Sequence, residues 1–158
     1  MSKQRLMTAM DTKRMLATLY PELAVAETEM PIERDDSAIY GTYIDDADEP
    51  VSLCAVDWAF AAHLGSALTM IPAPTAASAA KTGDFSDTMT ANLREVFNIL
   101  SRLYMDGSSP HLRFAELKTN RTALSAGEAN VIDQCAARLD LRIEIPGYGA
   151  GNCSLITL

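Results

Sequence analysis

Apolar residues recur along this chain with two different periods. Leu6, Met7, Met10, Leu16 and Leu19 stand at helical spacing and predict a helix from Gln4 to Tyr20, ended by Pro21. Glu22 to Asp36 shows little period and holds Pro31, so a connection is expected there. The run Ser37-Ala38-Ile39-Tyr40-Gly41-Thr42-Tyr43-Ile44 is rich in β-branched and aromatic residues, and Val51-Ser52-Leu53-Cys54-Ala55-Val56 alternates. With the acidic turn Asp45 to Pro50 between them, the two predict a hairpin. Asp57 is placed to cap a helix running to Met70. That helix is nearly all apolar (Trp58, Ala59, Phe60, Leu64, Ala67, Leu68) and is expected to be buried on more than one side. Pro72 and Pro74 end it, and a short Ala-rich stretch, Ala76 to Ala80, precedes Gly83.

Ser86 or Asp87 opens the longest helix, which reaches about Tyr104 before Asp106-Gly107-Ser108-Ser109-Pro110 breaks the chain. His111 to Thr119 reads as a strand. Ser125-Ala126-Gly127-Glu128 is a capping box and starts a helix ending near Leu139. Leu141 to Ile145 and Ser154 to Leu158 read as strands joined by Pro146 to Asn152. The order is α-β-β-α-α-β-α-β-β, without repeat, linker or low-complexity tract. Hairpins at both ends and long helices between them predict one α+β domain over residues 1–158, a mainly antiparallel sheet with long helices packed on one face.

Composition narrows the function. The chain has 158 residues, 48% of them hydrophobic, enough for a core without disulfides or a structural metal. Its net charge is −8, with 13 basic against 21 acidic residues, and no basic cluster exceeds two residues. Nucleic acid and anionic membranes both call for a basic face, so neither is an expected partner. The runs Glu33-Arg34-Asp35-Asp36 and Asp45-Asp46-Ala47-Asp48-Glu49 read as solvated loops and lack the spacing of a calcium loop. Cys54, Cys135 and Cys153 have no CxxC spacing and read as small buried hydrophobes in a reducing compartment. No apolar run approaches a membrane span and no signal-peptide core follows the N-terminal charges, so a cytoplasmic protein is expected.

Familiar catalytic patterns are missing. Gly147-Tyr148-Gly149-Ala150-Gly151 precedes a strand, not a helix, so it reads as a turn and not a phosphate cradle. His63 and His111 have no second ligand at metal spacing, and no GxSxG elbow is present. The long helix is more informative. Met89, Leu93, Val96, Phe97, Leu100, Leu103 and Tyr104 form its core-facing stripe. Glu95 and Asn98 then lie on the opposite side, neighbours three residues apart, in line with Ala91 and Arg102. By spacing alone this is also what a solvated helix face looks like, although Asn in a helix interior costs about 0.5 kcal/mol against Ala.

The segment Leu93-Arg94-Glu95-Val96-Phe97-Asn98-Ile99-Leu100 resembles the ExxN motif helix of the CheC/CheX/FliY chemotaxis phosphatases. The surroundings resemble that family too: a hairpin and a buried helix precede the motif, and a strand, a helix and a closing hairpin follow it. With a single ExxN, the chain is most similar to a CheX-like protein. The resemblance implies a CheC/CheX-like fold that binds a phosphorylated CheY-type response regulator and dephosphorylates its aspartyl phosphate. It implies Glu95 and Asn98 as the working residues: Asn98 orients the attacking water and Glu95 pairs with a lysine of the regulator. It implies no cofactor of the chain's own, the Mg²⁺ being supplied by the partner, and leaves a homodimer open. Ala91 stands where the family often has an acidic residue or Ser, Arg94 where it often has a small residue, and Arg102 where it often has Gly. Those arginines favour the alternative of a CheC-like binding module without catalysis; a structural oligomeric domain is the other.

Overall fold

A computed structural model describes residues 8–29, 32 and 38–158. Its elements are α1 (Ala9–Ala17), β1 (Ala24–Glu27), β2 (Ala38–Ile44), β3 (Pro50–Asp57), α2 (Trp58–Ala67), α3 (Ala73–Thr82), α4 (Asp87–Leu100), β4 (Arg113–Lys118), α5 (Ala126–Asp133), β5 (Ala137–Ile145) and β6 (Gly149–Thr157). The strands form one six-stranded sheet in the order β1-β5-β6-β3-β2-β4, every pair antiparallel. The β2–β3 and β5–β6 hairpins are the two expected from the alternation, and they join through β3 against β6.

Two elements depart from the sequence reading. The expected connection after Pro21 contains β1, an edge strand whose short, mostly exposed Ala-Val-Ala-Glu run pairs with Leu141 to Glu144 of β5. The Ala-rich stretch is the ten-residue α3, with Pro74 in its first turn, where a missing N–H costs nothing, and Gly83 in the left-handed conformation at its end. Boundaries move as well. The segment from Ser101 to Tyr104 tightens to a 3₁₀ turn, and α5 stops at Asp133. Cys135 is therefore half-buried just past α5, not within a helix. Leu6, Met7, Pro31 and Ser37, with the run Glu33 to Asp36, lie outside the described residues.

Helices cover both faces of the sheet, not one. On the first face α1, α2 and α4 bury Ile39, Tyr43, Cys54, Val56, Leu141, Ile143 and Leu155. On the second, Val131 and Ile132 of α5 pack on Ala38, Tyr40, Leu53, Ala55 and Ile156. Central strands are covered on both sides: Ser52 to Val56 of β3 and Cys153 to Thr157 of β6 are buried without a break. Each polar group on those strands has a partner built for it. Ser52 Oγ lies 2.7 Å from Thr157 Oγ1 across the β3–β6 pair. Glu128, buried at the start of α5, accepts from the Ser125 N–H at 2.8 Å and from the Thr42 hydroxyl, with Lys118 Nζ 3.7 Å away. The capping box seen in the sequence thus also ties α5 to β2. Cys54 and Cys153 are buried on neighbouring strands with their sulfurs 3.8 Å apart.

The long helix α4 is seated by close approaches. Its N-cap Ser86 accepts from the Met89 N–H, and Met89, Leu93, Val96, Phe97 and Leu100 are all buried. The Phe97 ring lies so close to β2 that a Cβ on Gly41 would stand 2.5 Å from it. A Cβ on Gly65 of α2 would stand 2.8 Å from the Met89 carbonyl oxygen. The ring of Phe97 also meets Phe114 edge-on, with centroids 6.1 Å apart. Gly41→Ala therefore forces Phe97 off its seat, and an expected loss of about 1–3 kcal/mol, the usual range for overpacking, is checked by denaturant unfolding.

Candidate functional site

The C-terminal half of α4 is where the helix changes its hydrogen bonding. The Ser101 N–H turns back to the Asn98 carbonyl, three residues away, as the α-helix gives way to the 3₁₀ turn. Ser101 Oγ donates to the same carbonyl at 2.7 Å. The Phe97 carbonyl instead accepts the buried Tyr43 hydroxyl of β2 at 2.6 Å. Tyr104, whose ring lies 5.0 Å from that of Tyr43, donates to the Leu53 carbonyl at 2.5 Å. The inner side of this turn is thus pinned to β2 and β3 by two buried tyrosines, which fixes the direction in which its outer side faces.

That outer side carries Ala91, Arg94, Glu95, Asn98 and Arg102, all exposed. Neither Glu95 nor Asn98 makes a side-chain hydrogen bond or ion pair among the described residues. One carboxylate and one carboxamide, one turn apart, are left free on a helix whose opposite face is fully engaged. Three described clefts, beside β1, between α1 and β5, and beside Trp58 and Phe85, are lined by other residues. Small ligands bind in concavities, so side chains exposed along a helix face suit contact with a macromolecule.

The neighbouring Asn92 is not free. Its Nδ2 donates to the Gly65 carbonyl at 2.8 Å and to Thr69 Oγ1 at 2.9 Å, tying the corner after α2 to α4. Just past that corner Met70 adopts a left-handed φ of 59° and is 85% exposed. No local pattern signals this tie, because Asn92 reads simply as one more polar residue on the helix wheel.

The other candidates lie away from α4. His63 is buried in α2, and burial lowers its pKa against the opposing pull of Asp57. Its Nδ1 has no partner among the described residues, and the ring lies beneath Gly149. His111 is exposed, with Nδ1 3.3 Å from Asp46 Oδ1. The turn between β5 and β6 is only residues 146–148, with Gly147 at positive φ; Gly149 to Gly151, read from the sequence as part of that turn, open β6 instead. Among the described residues no group of three His, Cys, Asp or Glu side chains converges to hold a metal ion, and no helix is long and apolar enough to cross a membrane.

No protein-family model matches the sequence, and no curated protein matches it. Solved structures do. The FliM middle domain from Vibrio alginolyticus superimposes with a TM-score of 0.56 at 9% identity, over 94% of this chain and 87% of its own. FliY from Thermotoga maritima gives 0.52 at 10% identity over 91% and 81%. The CheX–CheY–BeF3–Mg²⁺ complex from Borrelia burgdorferi gives 0.50 at 9% identity over 91% and 90%. This chain has the CheC/CheX/FliY-type fold.

FliM chains of the same fold also match in complexes with FliG and with SpeE, both from H. pylori. At identities of 9–11% the likeness is one of architecture. Within the CheC/CheX/FliY-type fold of this chain, α4 packs on the first sheet face and keeps Ala91, Arg94, Glu95 and Asn98 exposed. Exposed Met70, just past α2, holds a left-handed conformation that costs an L-residue about 1 kcal/mol or more. Met70→Gly relieves it without loss of packing, and an expected gain of roughly 0.5–1 kcal/mol is checked by thermal or denaturant unfolding.

Proposed function

We propose that this protein binds a phosphorylated CheY-type receiver and dephosphorylates its aspartyl phosphate, in the cytoplasm. The observation that carries the proposal is the unpartnered Glu95–Asn98 pair, one turn apart on the exposed side of a helix held rigidly from behind. The fold shared with a CheX chain crystallised with CheY, BeF3 and Mg²⁺ supports it.

Hydrolysis of an aspartyl phosphate needs a water in line with the P–O bond, positioning, and stabilisation of charge on the phosphoryl oxygens. In this reading the receiver supplies Mg²⁺ and a lysine. Asn98 accepts from and orients the water through its carboxamide. The water oxygen bonds to phosphorus as the aspartyl C–O–P linkage opens, leaving aspartate carboxylate and inorganic phosphate; the water proton passes to phosphate or solvent. Glu95 pairs with the receiver lysine and sets the docking angle. Neither role needs a shifted pKa, and both suit exposed side chains on a fixed backbone.

A second reading, a docking module without catalysis, is supported by the FliM chains of the same fold in complexes with FliG and SpeE. The two readings part in one experiment on a phosphorylated receiver. Asn98→Ala is expected to keep binding while phosphate release at saturating partner slows by about 10²-fold or more, as for loss of one preorganised polar group. Glu95→Ala is expected to weaken binding instead. Both are exposed positions, so stability moves by less than about 0.5 kcal/mol. Equal release rates for wild type and Asn98→Ala would leave only the docking module.

A further inference from the structure

Nine arginines occur in the chain, and seven of them lie among the described residues. Five of the seven have partners. Arg14 faces Asp11, Arg113 faces Asp48, Arg121 faces Asp133, Arg138 grips Asp140 with its guanidinium, and Arg142 donates to Asn152. Arg94 and Arg102 bond nothing among the described residues, and both are exposed. In a chain of net charge −8 with 21 acidic residues, carboxylates for pairing are plentiful. These two guanidiniums are nevertheless left free, and both stand on the candidate site.

Their placement on α4 is specific. Arg94 is four residues before Asn98, about 6 Å along the axis at 1.5 Å per residue, and Arg102 four after, about 7 Å because the 3₁₀ turn rises by about 2 Å per residue. Arg94 falls about 40° to one side of Asn98 at 100° per residue. Arg102 lies within the 3₁₀ turn, Ser101–Tyr104, which winds faster, and falls about 80° to the other side. The two long side chains therefore bracket the shorter carboxamide. A guanidinium forks onto an anionic oxygen pair with two parallel hydrogen bonds, and a phosphoryl group offers three such oxygens.

We propose that Arg94 and Arg102 form an anion clamp that takes the phosphoryl group of the docked receiver, one from each side of Asn98. This rests on the receiver-phosphatase reading above and deepens it. The clamp grips the equatorial oxygens, on which charge concentrates during hydrolysis, while Asn98 between them addresses the water. It makes the surface selective for the phosphorylated partner, because an uncharged receiver offers the arginines no such anion. The bulk that the two side chains add to the helix face then serves recognition of the charged state instead of blocking approach.

The test titrates wild type, the Arg94→Ala/Arg102→Ala double variant and the corresponding Lys double variant with a CheY-type receiver, either charged with beryllofluoride and Mg²⁺ or uncharged. Both positions are exposed and make no internal bond, so the variants fold; unchanged melting curves verify this. The expected result is a loss of roughly 10-fold or more in affinity of the Ala variant for the charged receiver, with binding to the uncharged form unmoved. The Lys variant, which keeps charge but loses the fork, recovers part of the loss. Equal losses on both forms, no loss on either, or faster phosphate release by the Ala variant would each overturn the clamp while leaving the function intact. Failure of wild type to bind either form would overturn the receiver reading and the clamp together.

Discussion

The outward face of α4 depends on what happens on its inward side, at the Tyr43–Phe97 contact. Gly41 lets the Phe97 ring rest against β2, and the Phe97 carbonyl accepts the hydroxyl of Tyr43, two residues further along the strand. A helix carbonyl free to accept a side-chain donor exists there because Ser101 has already turned its N–H to Asn98. The change from α to 3₁₀ winding, the depth of the aromatic ring and the azimuth of Asn98 are thus one constraint. Loosening any of them rotates the outer side of the helix relative to the sheet.

Behind that contact the sheet is stiffened by burial on both faces. α5 holds the second face through Val131, Ile132 and the buried Glu128, whose carboxylate bridges its own helix cap to Thr42. Burial alone raises the pKa of Glu128, but hydrogen bonds from Ser125 and Thr42, with Lys118 nearby, outweigh it, so the net shift is downward. With its folded-state value depressed, the group stabilises the fold above its ordinary carboxylate value and loses that contribution as acid takes the pH down through the lowered one.

How much of this was legible in the residues follows from the kind of signal each element carries. The amphipathic stripe of α4, the β2–β3 alternation and the Ser125 capping box are local patterns, and the structure has them where the pattern puts them; the closing hairpin is there too, but β5 starts four residues earlier, at Ala137, and β6 five earlier, at Gly149. α3 escaped because alanines mark no face on a wheel. β1 escaped because an Ala-Val-Ala-Glu edge strand has too few apolar residues to alternate. The second covered face left no clear mark, because Ser52 in β3 and Asn152, Ser154 and Thr157 in β6 supply the polar positions that a one-sided sheet would show, yet all of them but Asn152 are buried. At the site, the exposure of Glu95 and Asn98 follows from the wheel. The tie from Asn92 to Gly65 and Thr69, and the isolation of Arg94 and Arg102, are tertiary facts that no spacing encodes.

The three thiols divide in a way that has practical weight. Cys54 and Cys153 face one another inside the first layer, and the contact between them, with burial, raises the Cys153 thiol well above its ordinary value. A thiol kept protonated and out of water is a poor nucleophile. Cys135 alone is reachable, and it packs at the margin of the cluster under α5, on the sheet face away from α4. A maleimide dye added to the native protein would therefore attach at a single position, on the side of the molecule remote from Asn98. There it can report on the arrival of a partner without standing in its path.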